Sequence, residues 1–437
     1  MNAPQSQPSL RRELGKWDLT ALGVNQVIGG AVFLVPATLA LRLGSWSWVG
    51  VGLVGLLSMA VALNFAEAAS RFENTGGPYL YSRASFGRFV GFEVGWMAWF
   101  TRVTSWASVV NGLADALGFY WPGIRLGMPR TALMSAVVLA IMALNIRGIR
   151  QSSLAVNILT IGKLTPLLIF IVVGLPQISF GAIQLGAFPS LDQLTAAALP
   201  LIFAFGGYEV VPVPAGEAKD PRKAVPFAMI ATIIIVAILM TLAQIVALGT
   251  LPGLATATTP LADASLLLMG AWGALMMTIG TSVSMAGNNV GAALSGSRSL
   301  FALAEQQDVP RIFGRIHPTF RTPDVAIVFT CLSTLALALS GTFASLAAVS
   351  AVARLVIYSG TCASVLALRR QGRAPFTIPG GPIVPALALA VCLTILWGAT
   401  SAQLQAGGQA LLVGAVLFLI ARLGAKGTGQ RAEGKGK

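Results

Sequence analysis

From 19 to 41 the chain is apolar for long enough to cross a bilayer core of roughly 30 Å as a helix, yet Gly29, Gly30 and Ala31 sit at its centre. Glycine is the poorest interior helix residue after proline. Within lipid, a helix loses its regular backbone only where protein, water or a bound solute meets the freed N–H and C=O groups. The stretch LGVNQVIGGAVFLVP (22–36) therefore allows two readings. In one, the helix unwinds at Gly-Gly-Ala, and the second half gains a free N-terminus whose amides and positive dipole end favour a carboxylate. In the other, small residues only let a neighbouring helix pack closely.

The 437 residues are 55% hydrophobic and only 10% charged, with a mean hydropathy of +0.78, which excludes a soluble domain of this size. The class is an all-α polytopic membrane protein. The polar start MNAPQSQPSLRRELGKWD has no cleavable signal after it, so the first apolar run is read as a span. Long apolar segments fall near 19–41, 46–69, 89–117, 130–146, 153–175, 195–216, 225–250, 266–294, 325–340, 344–368, 382–402 and 407–423. Twelve transmembrane helices put both termini on one side.

A net charge of +14 invites a nucleic-acid partner, but the positions of the 29 Lys and Arg argue against one. Assigned to loops, 23 fall on the side of the termini, and only Arg42, Arg125 and Arg130 fall opposite. By the positive-inside rule both termini are cytoplasmic, which suits a multi-pass protein of the inner (cytoplasmic) membrane. The basic excess then reads as topology and contact with anionic membrane lipids. Cys331, Cys362 and Cys392 lie in spans at no metal-ligand spacing, and His317 is the chain's one histidine. Neither a metal site nor a nucleophile-base pair can be built from them, so an enzyme is not expected.

Several polar residues interrupt the spans. Glu67 closes the second span near the interface, where a structural or inner-gate role fits, and FENTGGPYLYSRASFGR after it suits a re-entrant or interfacial piece. Arg102 stands near mid-depth in the third span, where an ionisable residue is a functional candidate or a partner for an internal carboxylate. Lys163 stands in an otherwise uncharged fifth span, about ten residues from its cytoplasmic end. That is roughly 15 Å at helical rise, too far to snorkel comfortably. A lysine at that depth can exchange its proton as its surroundings change, so it is a candidate for proton coupling.

The sixth span repeats the peculiarity of the first. In LPLIFAFGGYEVVPVPAGEAKDPRKAVP, Gly206 and Gly207 break the helix at its centre, Glu209 follows within the membrane, and Pro212 and Pro214 prevent a regular helix afterwards. Two interrupted helices five spans apart point to an inverted repeat with a binding site between the breaks. The first half-helix here ends around Phe203 to Phe205, and its unpaired carbonyls suit an ammonium group. Amides from the first break and carbonyls from the sixth would together hold a zwitterion.

VIGGAVFLVP, FENTGGPYLYSRASFG, NILTIGKLTPLL, FAFGGYEVVPVPAGEAKDPRKAVP and SGSRSLFALAEQQDVPRIFGRIHPTFRTP, in this order and spacing, resemble the amino acid permeases of the amino acid, polyamine and organocation (APC) superfamily. The resemblance runs from about 17 to 326 and is less distinct beyond. It implies a LeuT-type fold of five plus five inverted spans with discontinuous helices 1 and 6, two peripheral helices, and alternating access. The divisions are a cytoplasmic N-terminal segment (1–16), a first repeat (17–177), a second repeat (190–370), two peripheral spans (380–424) and a disordered cytoplasmic tail (425–437). By resemblance, Gly29, Gly30 and Ala31 bind the substrate carboxylate. Phe203, Ala204, Phe205 and Gly206 surround its amino group, Phe203 and Glu209 act in gating, and Lys163 replaces a sodium site in proton-coupled relatives. Ala31 departs from the usual glycine and slightly narrows backbone approach, and Glu217-Ala218 departs from the usual pair before the turn.

The eighth span has a polar centre of Thr281, Ser282, Ser284, Asn288 and Asn289, which suits either a site wall or interhelical hydrogen bonds, and Arg354 in the tenth lines the pathway or pairs internally. The reading that joins these features is a secondary transporter of amino acids, proton-coupled or exchanging, with no cofactor beyond the proton. Sodium is disfavoured because a lysine charge near the cavity opposes cation binding. Phe203 and Phe205, with Glu209 as the one nearby acid, suit a neutral substrate better than a cationic one. An exchanger of amines, polyamines or cationic amino acids is the alternative within transport. A non-transporting sensor or subunit is the alternative outside it, and a sensor would need more than this short polar tail for output.

Overall fold

The computed structural model describes residues 10–124 and 126–433. Within helices, a few side chains, Phe203 among them, lie outside the described residues. The first apolar run forms two helices, α1 (Lys16–Val27) and α2 (Ala31–Leu43), and α3 (Ser47–Ala69) returns beside them. Then come α4 (Pro78–Phe86), α5 (Arg88–Tyr120), α6 (Gly127–Arg147), α7 (Ile149–Gly174) and the short α8 (Phe180–Ile183). The second glycine-interrupted run gives α9 (Leu191–Phe205) and then two single 3₁₀ turns, Tyr208–Val210 and Ala215–Glu217. The chain closes with α10 (Pro221–Thr250), α11 (Pro260–Glu305), α12 (Asp324–Ser340), α13 (Phe343–Leu368), α14 (Ile383–Trp397) and α15 (Ser401–Glu433).

The protein is an all-α polytopic membrane protein. Among the described residues, seven helices are long and apolar enough to cross a membrane, and α12 and α14 are shorter apolar helices. Large apolar side chains such as Leu56, Ile161, Val172, Leu267 and Ile420 stay exposed along them, as lipid-facing residues do. The bundle packs α5 against α11 and α13, α10 against α3, and α7 against α11, with α1 wedged between α7 and α10.

The polar segment after α3 folds as α4, started by Pro78 after Gly77, whose φ of 51° is one a glycine adopts without strain. α11 is longer than the expected 266–294 at both ends and bends at Gly270, φ 68°. α15 keeps helical backbone past Ala425, where composition places the start of a disordered tail. The Ala, Lys, Gln, Arg and Glu of that stretch are compatible with helix despite its glycines.

At the end of the bundle where α1 starts and α3 stops, acidic side chains are claimed by arginines from elements far away in sequence. Glu67 accepts from Arg369 Nε at 2.6 Å and Nη2 at 2.5 Å, which ties the end of α3 to the turn that follows α13. Asp308 accepts from Arg83 at 2.5 Å, from Tyr79 at 2.6 Å and from Arg88, tying α4 and α5 to the segment after α11. Glu217 receives both Nε (2.9 Å) and Nη2 (3.0 Å) of Arg298, and both side chains are fully buried. The segment ahead of α1 docks beside that pair, with the amides of Glu13 and Leu14 each 2.9 Å from the Glu217 carbonyl.

Removing one partner of a buried ion pair leaves an uncompensated charge. Arg298→Ala should therefore destabilise the protein by about 3–5 kcal/mol, and the double variant Glu217→Ala/Arg298→Ala should recover part of the loss. Thermal unfolding in detergent checks both, and equal loss in single and double variants would show that the pair itself is not the cause.

Candidate functional site

The two interrupted runs meet. α1 stops at Val27 and α2 begins at Ala31, with the Gly29 amide turned back to the Val27 carbonyl at 2.8 Å. α9 stops at Phe205, and Gly207 follows with φ 135°. A Cβ at Gly207 would stand 2.5 Å from the Gln26 carbonyl oxygen and 2.6 Å from its carbon, so backbone lies directly on backbone where the breaks touch. Glycine is thus required at 207 both for its dihedral and for its size.

The glycines of the first break answer a different need. Gly30 has an ordinary helical φ of −62°, but a Cβ there would stand 2.7 Å from Met285 Cε, and one on Gly29 would stand 3.1 Å from Asn288 Nδ2. The helix is interrupted, and α11 packs closely on the interruption. Interruption and close packing thus coincide at Gly-Gly-Ala.

Protein donors take the carbonyls that the break sets free. Lys163, buried in α7, donates from Nζ to the carbonyls of Asn25 (2.8 Å) and Ile28 (2.6 Å). Ser284 of α11 donates to Ile28 O at 2.9 Å, and Asn288 donates to Gln26 O at 3.0 Å. In return the side-chain amides of Asn25 and Gln26 donate to the carbonyls of Gly287 and Asn288, at 2.7 and 2.9 Å. Of the polar centre expected for the eighth span, Ser284 and Asn288 thus serve the first break. On the other side of the break, the Phe33 amide in the opening turn of α2 donates to the Gly30 carbonyl at 3.2 Å.

Gly29, Gly30, Ala31 and Gly206 line one small cavity of about 30 Å³, together with Arg102 and Arg354. That is room for no more than a few water molecules. A larger solute needs the surrounding helices to move apart.

Glu209, expected as a gate, is enclosed rather than free. Its Oε1 accepts from Arg102 Nη2 of α5 at 2.5 Å and from Arg354 Nε of α13 at 2.8 Å. Its Oε2 accepts from the Tyr358 hydroxyl at 2.9 Å and from the Gly207 amide at 2.8 Å. Arg102 and Arg354, each left open in the sequence between pairing and the pathway, share this one carboxylate. A Cβ at Gly206 would overlap the Arg354 guanidinium, which presses on the backbone at the second break.

Of the residues at the end of α9, Ala204 and Phe205 are buried, and the expected gate Phe203 has its side chain outside the described residues. The Phe205 ring does not line the small cavity, contrary to its expected place in a substrate pocket. It stands against Gly55 of α3 and borders a separate apolar crevice with Tyr208 and Tyr358, because the last turn of α9 rotates it toward α3. Asn25, Gln26 and Tyr358 were not singled out in the sequence. The first two carry a signal, being adjacent polar residues inside an apolar run just ahead of the glycines. Tyr358 carries none.

The amino acid permease family model matches residues 14–420. The chain belongs to that family. This permease is 28% identical over 431 residues to the serine/threonine exchanger SteT of Bacillus subtilis, an alignment covering 93% of the permease and 95% of SteT. It is 27% identical to the branched-chain amino acid permease BcaP of the same organism, over 96% of the permease and 94% of BcaP. With the glutamate/serine transporter AimA of Bacillus subtilis it shares 26% identity, over 94% of the permease and 80% of AimA.

Gly29→Val and Gly206→Val each put bulk into the backbone of a break in this permease. Substrate affinity should fall at least about tenfold, equivalent to about 1.4 kcal/mol. Ligand-induced thermal stabilisation of the purified variants measures this, and unchanged affinity would leave these glycines with a packing role alone.

Proposed function

We propose that this permease is a secondary transporter that carries amino acids across the cytoplasmic membrane by alternating access. Both termini lie on the cytoplasmic side, and the helices form twelve spans with a LeuT-type repeat. The meeting of the two broken helices supports this reading, because Gly29, Gly30 and Ala31 of the first break and Gly206 of the second line one cavity, next to the start of α2 and the end of α9. Those are opposite dipole ends, suited to the carboxylate and the ammonium of one zwitterion. SteT, BcaP and AimA bear names of amino acid transporters, which supports the same substrate class.

Coupling to protons runs through Lys163. Its ammonium ties α7 to the loose end of α1 by bonds to Asn25 O and Ile28 O. A neutral amine offers fewer donors and no charge, so loss of the proton weakens that tie and frees α1 to shift. Sodium finds the same carbonyls already engaged by a cation. Gating runs through Glu209, which joins α5, α13 and the second break. Opening a path to the cavity requires that junction to rearrange, with Phe203 proposed as the aromatic member of the gate. An amine or polyamine would need Glu209 for its far ammonium, and two guanidinium groups already claim that carboxylate.

Uptake of labelled amino acids into proteoliposomes, with and without an imposed pH gradient, tests the reading. The wild type should accumulate substrate when the gradient is present. Lys163→Ala should lose the stimulation by the gradient while substrate binding stays measurable. Retained stimulation would remove Lys163 from coupling, and no amino acid uptake at all would refute transport.

A further inference from the structure

The apolar crevice beside Phe205 has a volume of about 270 Å³ and is walled by α3, α9, α13, α14 and Tyr208 of the second break. It lies at mid-depth. Leu57 and Ser58 stand at the middle of α3, and Leu355 and Tyr358 at the middle of α13. The middle of a span is roughly 15 Å from either edge of the hydrocarbon core, a level that lipid tails reach and headgroups do not. The mouth opens on lipid. Leu57 is 38% exposed and Leu387 56%, on the apolar outer faces of α3 and α14. Among the described lining residues there is no charged side chain. Two of the lining hydroxyls are engaged elsewhere, Thr394 donating to the Ala390 carbonyl at 2.9 Å and Tyr358 to Glu209.

An apolar cavity of about 150 Å³ stays dry and accepts small apolar molecules, so a larger one that opens to hydrocarbon takes hydrocarbon rather than water. A transmembrane helix, about 10 Å across, is too thick for it. An acyl chain is thin, flexible and already at the mouth. Its gain comes from dispersion contacts with walls that would otherwise lack partner atoms. The inner wall belongs to the Glu209 junction. Tyr208 and Tyr358 stack with ring centroids 5.3 Å apart, and the Phe65 ring stands edge-on to both, at 6.1 and 5.8 Å. From that stack the Tyr358 hydroxyl reaches Glu209 Oε2 at 2.9 Å. A chain in the crevice therefore rests on the rings that carry this bond.

We propose that this crevice is a binding site for one acyl chain of a bilayer phospholipid, whose tail braces the Tyr208–Tyr358 stack and, through it, the Glu209 junction. Occupancy does not require transport, so loss of the amino-acid reading would leave the site standing.

Photolabelling of the full-length protein in vesicles of phosphatidylethanolamine and phosphatidylglycerol decides it. The probes are two phosphatidylglycerols, one with a diazirine near the methyl end of an acyl chain and one with it near the ester. Leu355 and Tyr358 are 1% and 4% exposed, so a lipid that only covers the outer surface cannot reach them and a chain in the crevice can. The methyl-end probe should form adducts at these two residues of α13, and the ester-end probe should not. Ala388→Phe and Val391→Phe each fill the crevice from α14. Each should lose the α13 adducts, while labelling of the exposed Ile161 and Leu267 stays unchanged. The bracing is read in detergent by thermal unfolding. Added dioleoyl phosphatidylglycerol should raise the unfolding temperature of the wild type, and that shift should vanish in both filled variants. No α13 adduct in the wild type, or adducts that survive in the filled variants, overturn the site. Equal lipid-dependent shifts in wild type and variants overturn the bracing. Adducts from a diazirine fatty acid but from neither phospholipid overturn the phospholipid assignment in favour of a free fatty acid. Should one variant fail to fold, the other carries the comparison, and the contrast between the two probes on the wild type needs neither.

Discussion

In a membrane, a helix can stop halfway only if something accepts the backbone groups it abandons. At the end of α1 that acceptance comes from one lysine and two side chains of α11, which reach the carbonyls of Asn25, Gln26 and Ile28. Take these donors away and the first break becomes several unsatisfied carbonyls at lipid depth. With them, α1 and α2 are separate helices on either side of the break. The rest of the centre builds on this: α7 and α11 are held against α1 by the same bonds that permit its interruption.

The second break is made on different terms. There the backbone of Gly207 rests on the backbone of Gln26, and the Gly207 amide is taken by the carboxylate of Glu209, two residues on. Glu209 is in turn fixed by α5 and α13. The two breaks are thus coupled mechanically through direct backbone contact, and the second is held to α5 and α13 through the Glu209 junction. A change at Lys163 and a change at Glu209 act on the same few residues from opposite sides. The proposed linkage of proton, substrate and gate would act through this one small volume.

The charged residues divide by depth. Glu67, Glu217 and Asp308 lie toward one end of the bundle and are matched by arginines from distant segments, so they fasten helices together. At the centre two arginines from different helices share one carboxylate beside a cavity.

The sequence by itself determined that the chain is an all-α membrane protein, because apolar runs of span length leave no other solution, and it located both interruptions, because glycine pairs inside such runs are local signals. It also made Lys163 a residue to explain, since depth can be counted along a helix. Only the tertiary structure decided what these features touch. Arg102, Glu209 and Arg354 are separated by 107 and 145 residues and meet only once α5, the second break and α13 have packed. Phe205 was expected to face a substrate and faces α3, because the rotation of a helix about its axis is set by its neighbours when apolar residues surround it on every side. The need for glycine at 207 was likewise visible only as a broken helix, until the Gln26 backbone was found where a side chain would have been.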